Sequence, residues 1–184
     1  PTPSLMIRPL ATIVAAILFS RPELAHDEAA RYAKIVHEEA KARRFDPLTL
    51  VALVHTESAW HAEVVSPNGE DHGLGQVRAR FVGACKKDAD PLTNPSAECQ
   101  AVKDSLLDAE TNLRMVAQLI TDNQKLCLAK TKSAALPRWL ASYQGLNFPK
   151  QKRWCVPGDK TWRVIKYRDI LLSESRKPKA PAKR

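Results

Sequence analysis

Apolar side chains recur at helical spacing along most of this chain, and the spacing predicts five main helices. From 27 to 44 the run "DEAARYAKIVHEEAKARR" opens on acids and closes on bases, with Tyr32, Ile35 and Val36 on one side. Asp46-Pro47 then marks a new start, an N-cap followed by proline at the first helical position. The helix it opens, "PLTLVALVHTES", is nearly apolar all round, so it belongs at the centre of the fold. "DAETNLRMVAQLITDNQKLCLAK" is the longest pattern, with Leu113, Val116, Ala117 and Ile120 on one face. "LPRWLASYQG" and "DKTWRVIKYRDILLSES" read as two more helices, and "LGQVRARFVGAC" as a further one. "CKKDADPLTNPSAEC" is polar and turn-rich. No segment alternates as a strand would, and no repeat occurs. The expectation is an all-α single domain over 26–174, a helical bundle around the buried 47–58 helix, without a substantial sheet.

The ends read differently. Arg8 precedes an apolar run from Leu10 to Phe19, and Ala25 stands before the polar helix start, so residues 1–25 resemble an export signal. The alternative is a short apolar helix or strand packed on the domain. The run is too short to span a bilayer comfortably. From Ser175 onward the composition turns to Pro and Lys, and 175–184 are expected to be a disordered basic tail.

Composition narrows the function classes. At 184 residues, 44% hydrophobic and 27% charged, the chain is long and apolar enough to bury a real core. The net charge is +9, but the last ten residues hold five Lys or Arg and no acid, so the body is only mildly basic. No basic stripe interleaved with aromatics appears, which argues against nucleic acid; mild basicity suits an anionic polymer such as a bacterial wall. Cys85, Cys99, Cys127 and Cys155 form an even set without a CxxC pair. In an oxidising compartment they form two disulfides. Sequence permits three pairings; the expected one is Cys85–Cys99, closing a local loop, with Cys127–Cys155 tying a helix to a later segment. Buried free thiols are the alternative.

The candidate chemistry sits in "ESAWHAEVVSPNGEDHGLGQ", residues 57–76. The chain has only six glycines, and Gly69, Gly73 and Gly75 fall within seven residues here. Glu57 lies where the apolar helix runs out. An apolar wall and the negative end of the helix dipole both disfavour its charged form. A carboxyl held protonated near neutrality can donate a proton to a leaving oxygen. Glycines let backbone approach a ligand closely, so this loop reads as one wall of a groove over Glu57, with Asn68 and Gln76 as polar lining. The plain alternative is a solvated residue at a helix end. His55, Glu57, His61 and His72 lie close in sequence, but no HExxH pattern exists and His55 and Glu57, two apart, point to different sides of a helix; no metal or other cofactor is expected. Trp139, Trp154 and Trp162 can stack on sugars, though helix-spaced tryptophans are more often core.

The same stretch resembles the signature of the soluble lytic transglycosylase family, within the lysozyme-like superfamily. Glu57-Ser58 matches the family's Glu-Ser pair, Ser66 its loop serine, and Gly73-Leu74-Gly75-Gln76 its Gly-Leu-Met-Gln, with Gly75 where Met is common. "EDHGLGQV" is also similar to the Asp-Tyr-Gly-Leu variant of secretion-associated members. Asn112 fits the Asn of the family's long helix, and Tyr143 in "ASYQGLN" aligns loosely with its tyrosine motif, with Gln144 replacing Asn. The resemblance covers roughly residues 28–148.

It implies a lysozyme-like fold and cleavage of peptidoglycan glycan strands between N-acetylmuramic acid and N-acetylglucosamine. Glu57 would protonate the glycosidic oxygen and then take the proton of the 6-hydroxyl of the same sugar, giving a 1,6-anhydro end without water. Ser58, Ser66, Asn68, Gly73, Leu74, Gln76, Asn112 and Tyr143 would form the substrate site, with Tyr143 hydrogen-bonding near Glu57 and Ser58 either orienting the site or capping the helix. A monomeric, exported protein, periplasmic or extracellular, follows, with an envelope-spanning secretion, flagellar or pilus machine as a conceivable partner. Two alternatives stand beside it. A lysozyme-like muramidase would want a second carboxylate, for which Glu63, Glu70 and Asp71 are at hand. A binding-only wall component would keep the groove without the chemistry.

Overall fold

The computed structural model describes residues 8–177, so residues 1–7 and, of the expected tail 175–184, residues 178–184 lie outside it; Ser175, Arg176 and Lys177 instead make backbone hydrogen bonds back to residues 171–174. Among the described residues there are seven α-helices and one hairpin of two-residue strands. The all-α expectation therefore holds. In chain order the elements are α1 (Leu10–Ser20), α2 (His26–Arg43), α3 (Pro47–Ser58), β1 (Asp71–His72), β2 (Val77–Arg78), α4 (Ala97–Ser105), α5 (Ala109–Thr131), α6 (Leu136–Tyr143) and α7 (Asp159–Glu174). No helix among the described residues is long and apolar enough to cross a membrane.

Helix α3 is central because it has no polar stripe to show to water. Residues 48 to 54 are buried without a break, and α1, α2 and α7 pack around it. Asp46 starts it as the sequence predicts, accepting from the Leu48 amide at 3.0 Å. The same carboxylate takes Arg8 at 2.9 Å and Arg168 of α7 at 3.1 Å, so the cap also ties both ends of the fold to the central helix.

Residues 10–20 form a helix within this core. Ile13 and Ile17 are fully buried, each contributing about 2 kcal/mol by burial. Tyr167 of α7 donates to Ser20 at 2.9 Å, and Arg21 donates to the Trp60 carbonyl at 2.7 Å. α2 packs on α1 and α5, and α5 on α6.

Two local readings are corrected. Residues 74–85, expected as a helix, instead hold strand β2 and two short 3-10 turns, Ala79–Phe81 and Gly83–Lys87. Gln76 (φ 47°) and Gly83 (φ 48°) are both left-handed, which a continuous right-handed helix cannot contain. The turn-rich stretch before Cys99 ends in an unforeseen helix, α4, whose cap is Ser96 accepting from the Cys99 amide at 3.2 Å. The cysteines pair as expected: Cys85 with Cys99 and Cys127 with Cys155. The first closes the loop onto α4; the second fastens α5 to the segment that leads into α7.

Candidate active site

After Ser58 the chain turns sharply. Ala59 (φ 51°) and Trp60 (φ 67°) are both left-handed, which ends α3 and drops the Trp60 ring, fully buried, against Tyr32 at 6.0 Å between centroids. Glu57 thus occupies the last turn of a helix whose surroundings are apolar. Only 5% of its side chain is exposed, and that part faces a cleft of about 650 Å³. The cleft runs between the β hairpin on one side and the α6–α7 region on the other.

Burial raises the Glu57 pKa above the ordinary carboxylate value, with a small push from Asp71; the ammonium of Lys160 pulls the other way, and the net direction is up. Lys160 Nζ lies 2.6 Å from Glu57 Oε2. Oε1 has no hydrogen-bond partner among the described residues. The Gln144 amide stands close enough to favour the carboxylate slightly, though short of a hydrogen bond. A carboxyl poised between these influences can give a proton and take one back.

The glycine loop is shaped from behind by Asn112, which is fully buried. Its Nδ2 donates to the His72 carbonyl at 2.9 Å and to the Leu106 carbonyl at 2.7 Å, while its Oδ1 accepts from the Gly75 amide at 2.8 Å. Gly73 has φ 72°, and a Cβ there would run into the Leu106 carbonyl and the Asn112 amide. A Cβ on Gly75 would overlap Val116 and lie 2.8 Å from the Tyr143 oxygen. The Tyr143 hydroxyl donates to the Gly75 carbonyl at 2.8 Å. Its bond therefore goes to the loop that faces Glu57 rather than to Glu57. Burial, with the charges of Glu57 and Asp71 adding to it, lifts the phenol well above its ordinary pKa, so it stays a donor.

The residues singled out in the sequence divide into two groups. Glu57, Gln76 and Tyr143 line the cleft. Gln76 donates to the Val64 and Gly73 carbonyls, each at 3.0 Å. Ser58, Gly73, Leu74 and Asn112 are buried behind the wall. Ser58 donates back to the Val54 carbonyl at 3.4 Å, the helix-end use rather than a site contact. Ser66 and Asn68 serve the loop itself: Ser66 Oγ donates to Asn68 Oδ1 at 2.6 Å and accepts from the Asp71 amide at 2.9 Å. Neither is among the residues lining the cleft.

Of the nearby acids, Glu63 is exposed and Glu70 pairs with Arg78 and Arg80. Asp71 lines the cleft, with Arg78 gripping both its oxygens at 2.9 and 3.2 Å. His55 stacks on Tyr167 at 3.8 Å, His72 is buried with Nδ1 3.2 Å from the Glu70 carbonyl, and His61 is exposed, so the histidines do not converge. Trp139 is core and Trp162 is exposed, whereas Trp154 lines the cleft with the Lys130 ammonium 4.8 Å from its ring. Lys160 lines the cleft, and Thr161 is buried behind it against Gln144, without a sequence signal: nothing local marks them beyond a helix start.

Comparison with known families gives one result. The model of the transglycosylase SLT domain matches residues 34–153, from mid-α2 to just before Cys155. Neither a curated protein nor a solved structure gave a match to the chain.

Proposed function

This chain belongs to the transglycosylase SLT domain family, and we propose that it cuts peptidoglycan glycan strands between N-acetylmuramic acid and N-acetylglucosamine, with Glu57 as acid and then base. Family membership makes peptidoglycan the substrate class and transglycosylase-type glycosidic cleavage the kind of activity. The finer assignment to Glu57 is supported by one observation above the rest. A carboxyl with 5% side-chain exposure stands at the floor of a cleft large enough for sugar rings, with its pKa pushed upward by burial.

In this reading protonated Glu57 gives its proton to the glycosidic oxygen. The electron pair of the breaking C1–O bond leaves with that oxygen. Glu57 then takes the proton of the 6-hydroxyl as its oxygen closes on C1, so the carboxyl is regenerated and no water enters. The tethered hydroxyl replaces an activated water, which is why one carboxylate serves both steps. Tyr143 and Asn112 fix the Gly75 backbone beside the reacting sugar. The two disulfides suit an oxidising compartment, and with a wall substrate we place the protein in the periplasm or outside the cell.

Asp71 in the same cleft favours a second reading, a muramidase in which it activates water. The bidentate grip of Arg78 leaves it fewer lone pairs for that task. Digestion of purified wall by the native chain and by Glu57→Gln, with products identified by mass, tests both. The expected result is anhydro ends from the native chain and none from a variant that still binds wall. Reducing ends carrying one added water would favour the muramidase, and no turnover by the native chain would favour a binding role.

A further inference from the structure

The family match ends at residue 153, so α7 lies wholly outside it, yet the first turn of α7 reaches the candidate acid. We propose that this turn is part of the catalytic apparatus: Lys160 is a positioning residue that holds Glu57 by Oε2 and supplies the counter-charge while Glu57 is without its proton. The inference rests on the acid–base role assigned to Glu57 above.

The geometry separates this pair from an ordinary surface ion pair. Exposed pairs contribute little because water screens both partners. Here 43% of the Lys160 side chain is exposed but only 5% of Glu57. The ammonium spans from solvent to a carboxylate that has no comparable access to water. The two carboxyl oxygens differ in their surroundings. Oε2 is held by Lys160, whereas Oε1 is buried with no hydrogen-bond partner among the described residues. When Glu57 loses its proton to the glycosidic oxygen, the O–H electron pair stays on the carboxylate and the adjacent ammonium compensates it. When the 6-hydroxyl proton arrives, the carboxyl is neutral again and Lys160 is unchanged.

The root of Lys160 is held firmly. Thr161 is fully buried; its hydroxyl donates to Gln144 Oε1 at 2.9 Å and accepts from the Gly158 amide at 3.2 Å. Just upstream, Cys155 is bonded to Cys127 of α5, and its amide donates to Asn147 Oδ1 at 2.9 Å. The bond between Thr161 and Gln144 links the end of α6 to α7 beside the acid.

The other groups facing Glu57 do not take this role. The hairpin presents Asp71, already paired with Arg78, and α6 presents the Tyr143 phenol and the neutral Gln144 amide. Helix α5 presents Leu119 and Asn123, neither of which titrates. His55, on α3 itself, stacks on Tyr167.

The test is the pH profile of kcat and kcat/KM on solubilised glycan strands for the native chain, Lys160→Met and Lys160→Arg. Alongside it, the titration of Glu57 is followed by carbon NMR of labelled carboxyls. In Lys160→Met the limb belonging to Glu57 should move to higher pH, because a group that stabilises the carboxylate is gone. At neutral pH kcat should fall by roughly ten- to a hundredfold, with KM little changed, and Lys160→Arg should restore most of it. Superimposable profiles for native and Lys160→Met would overturn the proposal.

The NMR titration keeps the two readings apart. If the native chain turns over no wall, the role of Glu57 falls, but an upward move of its titration in Lys160→Met still supports the pairing and an unmoved one rejects it. In the native chain itself the Lys160 ε-carbon resonance should report the Glu57 titration. An ε-carbon that stays flat through that titration would overturn the proposal without recourse to any variant.

Discussion

The two walls of the cleft are built by different means. The wall formed by the end of α3 and the glycine loop is held from behind by close packing. Asn112 is fully buried with two of its bonds on the loop and the third on the Leu106 carbonyl, and Gly75 has no room for a Cβ. The wall formed by α6 and α7 is held by polar contacts that run from the partly exposed Lys160 and Gln144 to the buried Glu57 and Thr161, and by one disulfide. The first wall buries the acid and so disfavours its charge; the second brings the counter-charge that offsets this. Position is thus guarded by close packing, and charge by an ammonium whose side chain reaches solvent.

Variants that strike one wall and spare the other break this comparison. The largest effect belongs to the residue both walls share: Glu57→Gln should lower turnover by about a thousandfold or more while circular dichroism and melting show an intact fold. Next is Asn112→Ala. It leaves the Gly75 amide and the Leu106 carbonyl without their Asn112 partner and takes one bond from the His72 carbonyl, and should cost about 3 kcal/mol in chemical denaturation, with wall digestion falling as the loop loosens.

The disulfides offer the sharpest contrast. Removing either by paired substitution to Ala should cost about 3 kcal/mol. Loss of Cys127–Cys155, which anchors the approach to α7, should also reduce kcat per folded molecule. Loss of Cys85–Cys99, which closes the loop onto α4, should leave it near the native value. Equal kinetics for both would mean that the α7 anchor has no part in the site. Gly75→Ala should cost about 2 kcal/mol by overpacking against Val116 and Tyr143, seen as a lower melting temperature.

The smallest effect is a pH dependence of stability. Glu57 has a raised pKa in the folded chain, so the native state holds its proton more tightly than the unfolded chain does. Stability from this group is therefore unpenalised below the ordinary value of 4.5 and declines as pH rises from there through the folded value. Glu57→Gln should match the native chain in acid and exceed it in denaturant resistance at neutral and higher pH. An identical gap at every pH would contradict the upward shift.

Legibility in the sequence follows the same division. Helix α3 and the long α5 could be read because an uninterrupted or one-sided apolar pattern leaves a helix few alternatives, and Asp46-Pro47 marks a start that the structure uses. The hairpin and the 3-10 turns at 77–87 could not. Leu74, Val77 and Phe81 recur at helical spacing, and the left-handed φ of Gln76 is imposed by the loop around it. Ser96 carried a readable cap signal for α4, obscured by the prolines and polar residues before it.

At the site, Glu57 was legible because burial, helix end and glycine loop all adjoin it in sequence. Tyr143 was marked by its motif, but its partner, the Gly75 carbonyl, was not. Lys160 was illegible, since its contact with Glu57 joins positions 103 residues apart and a Lys in the first turn of a helix carries no local signal of what lies opposite.

The central claim is that Glu57 completes the reaction by closing the substrate on its own hydroxyl. Wall digested by the native chain in water enriched in oxygen-18 reads this directly. The account predicts new anhydro ends that carry no heavy oxygen. One heavy oxygen at each new reducing end would mean that water, not the tethered hydroxyl, attacks, and would contradict it.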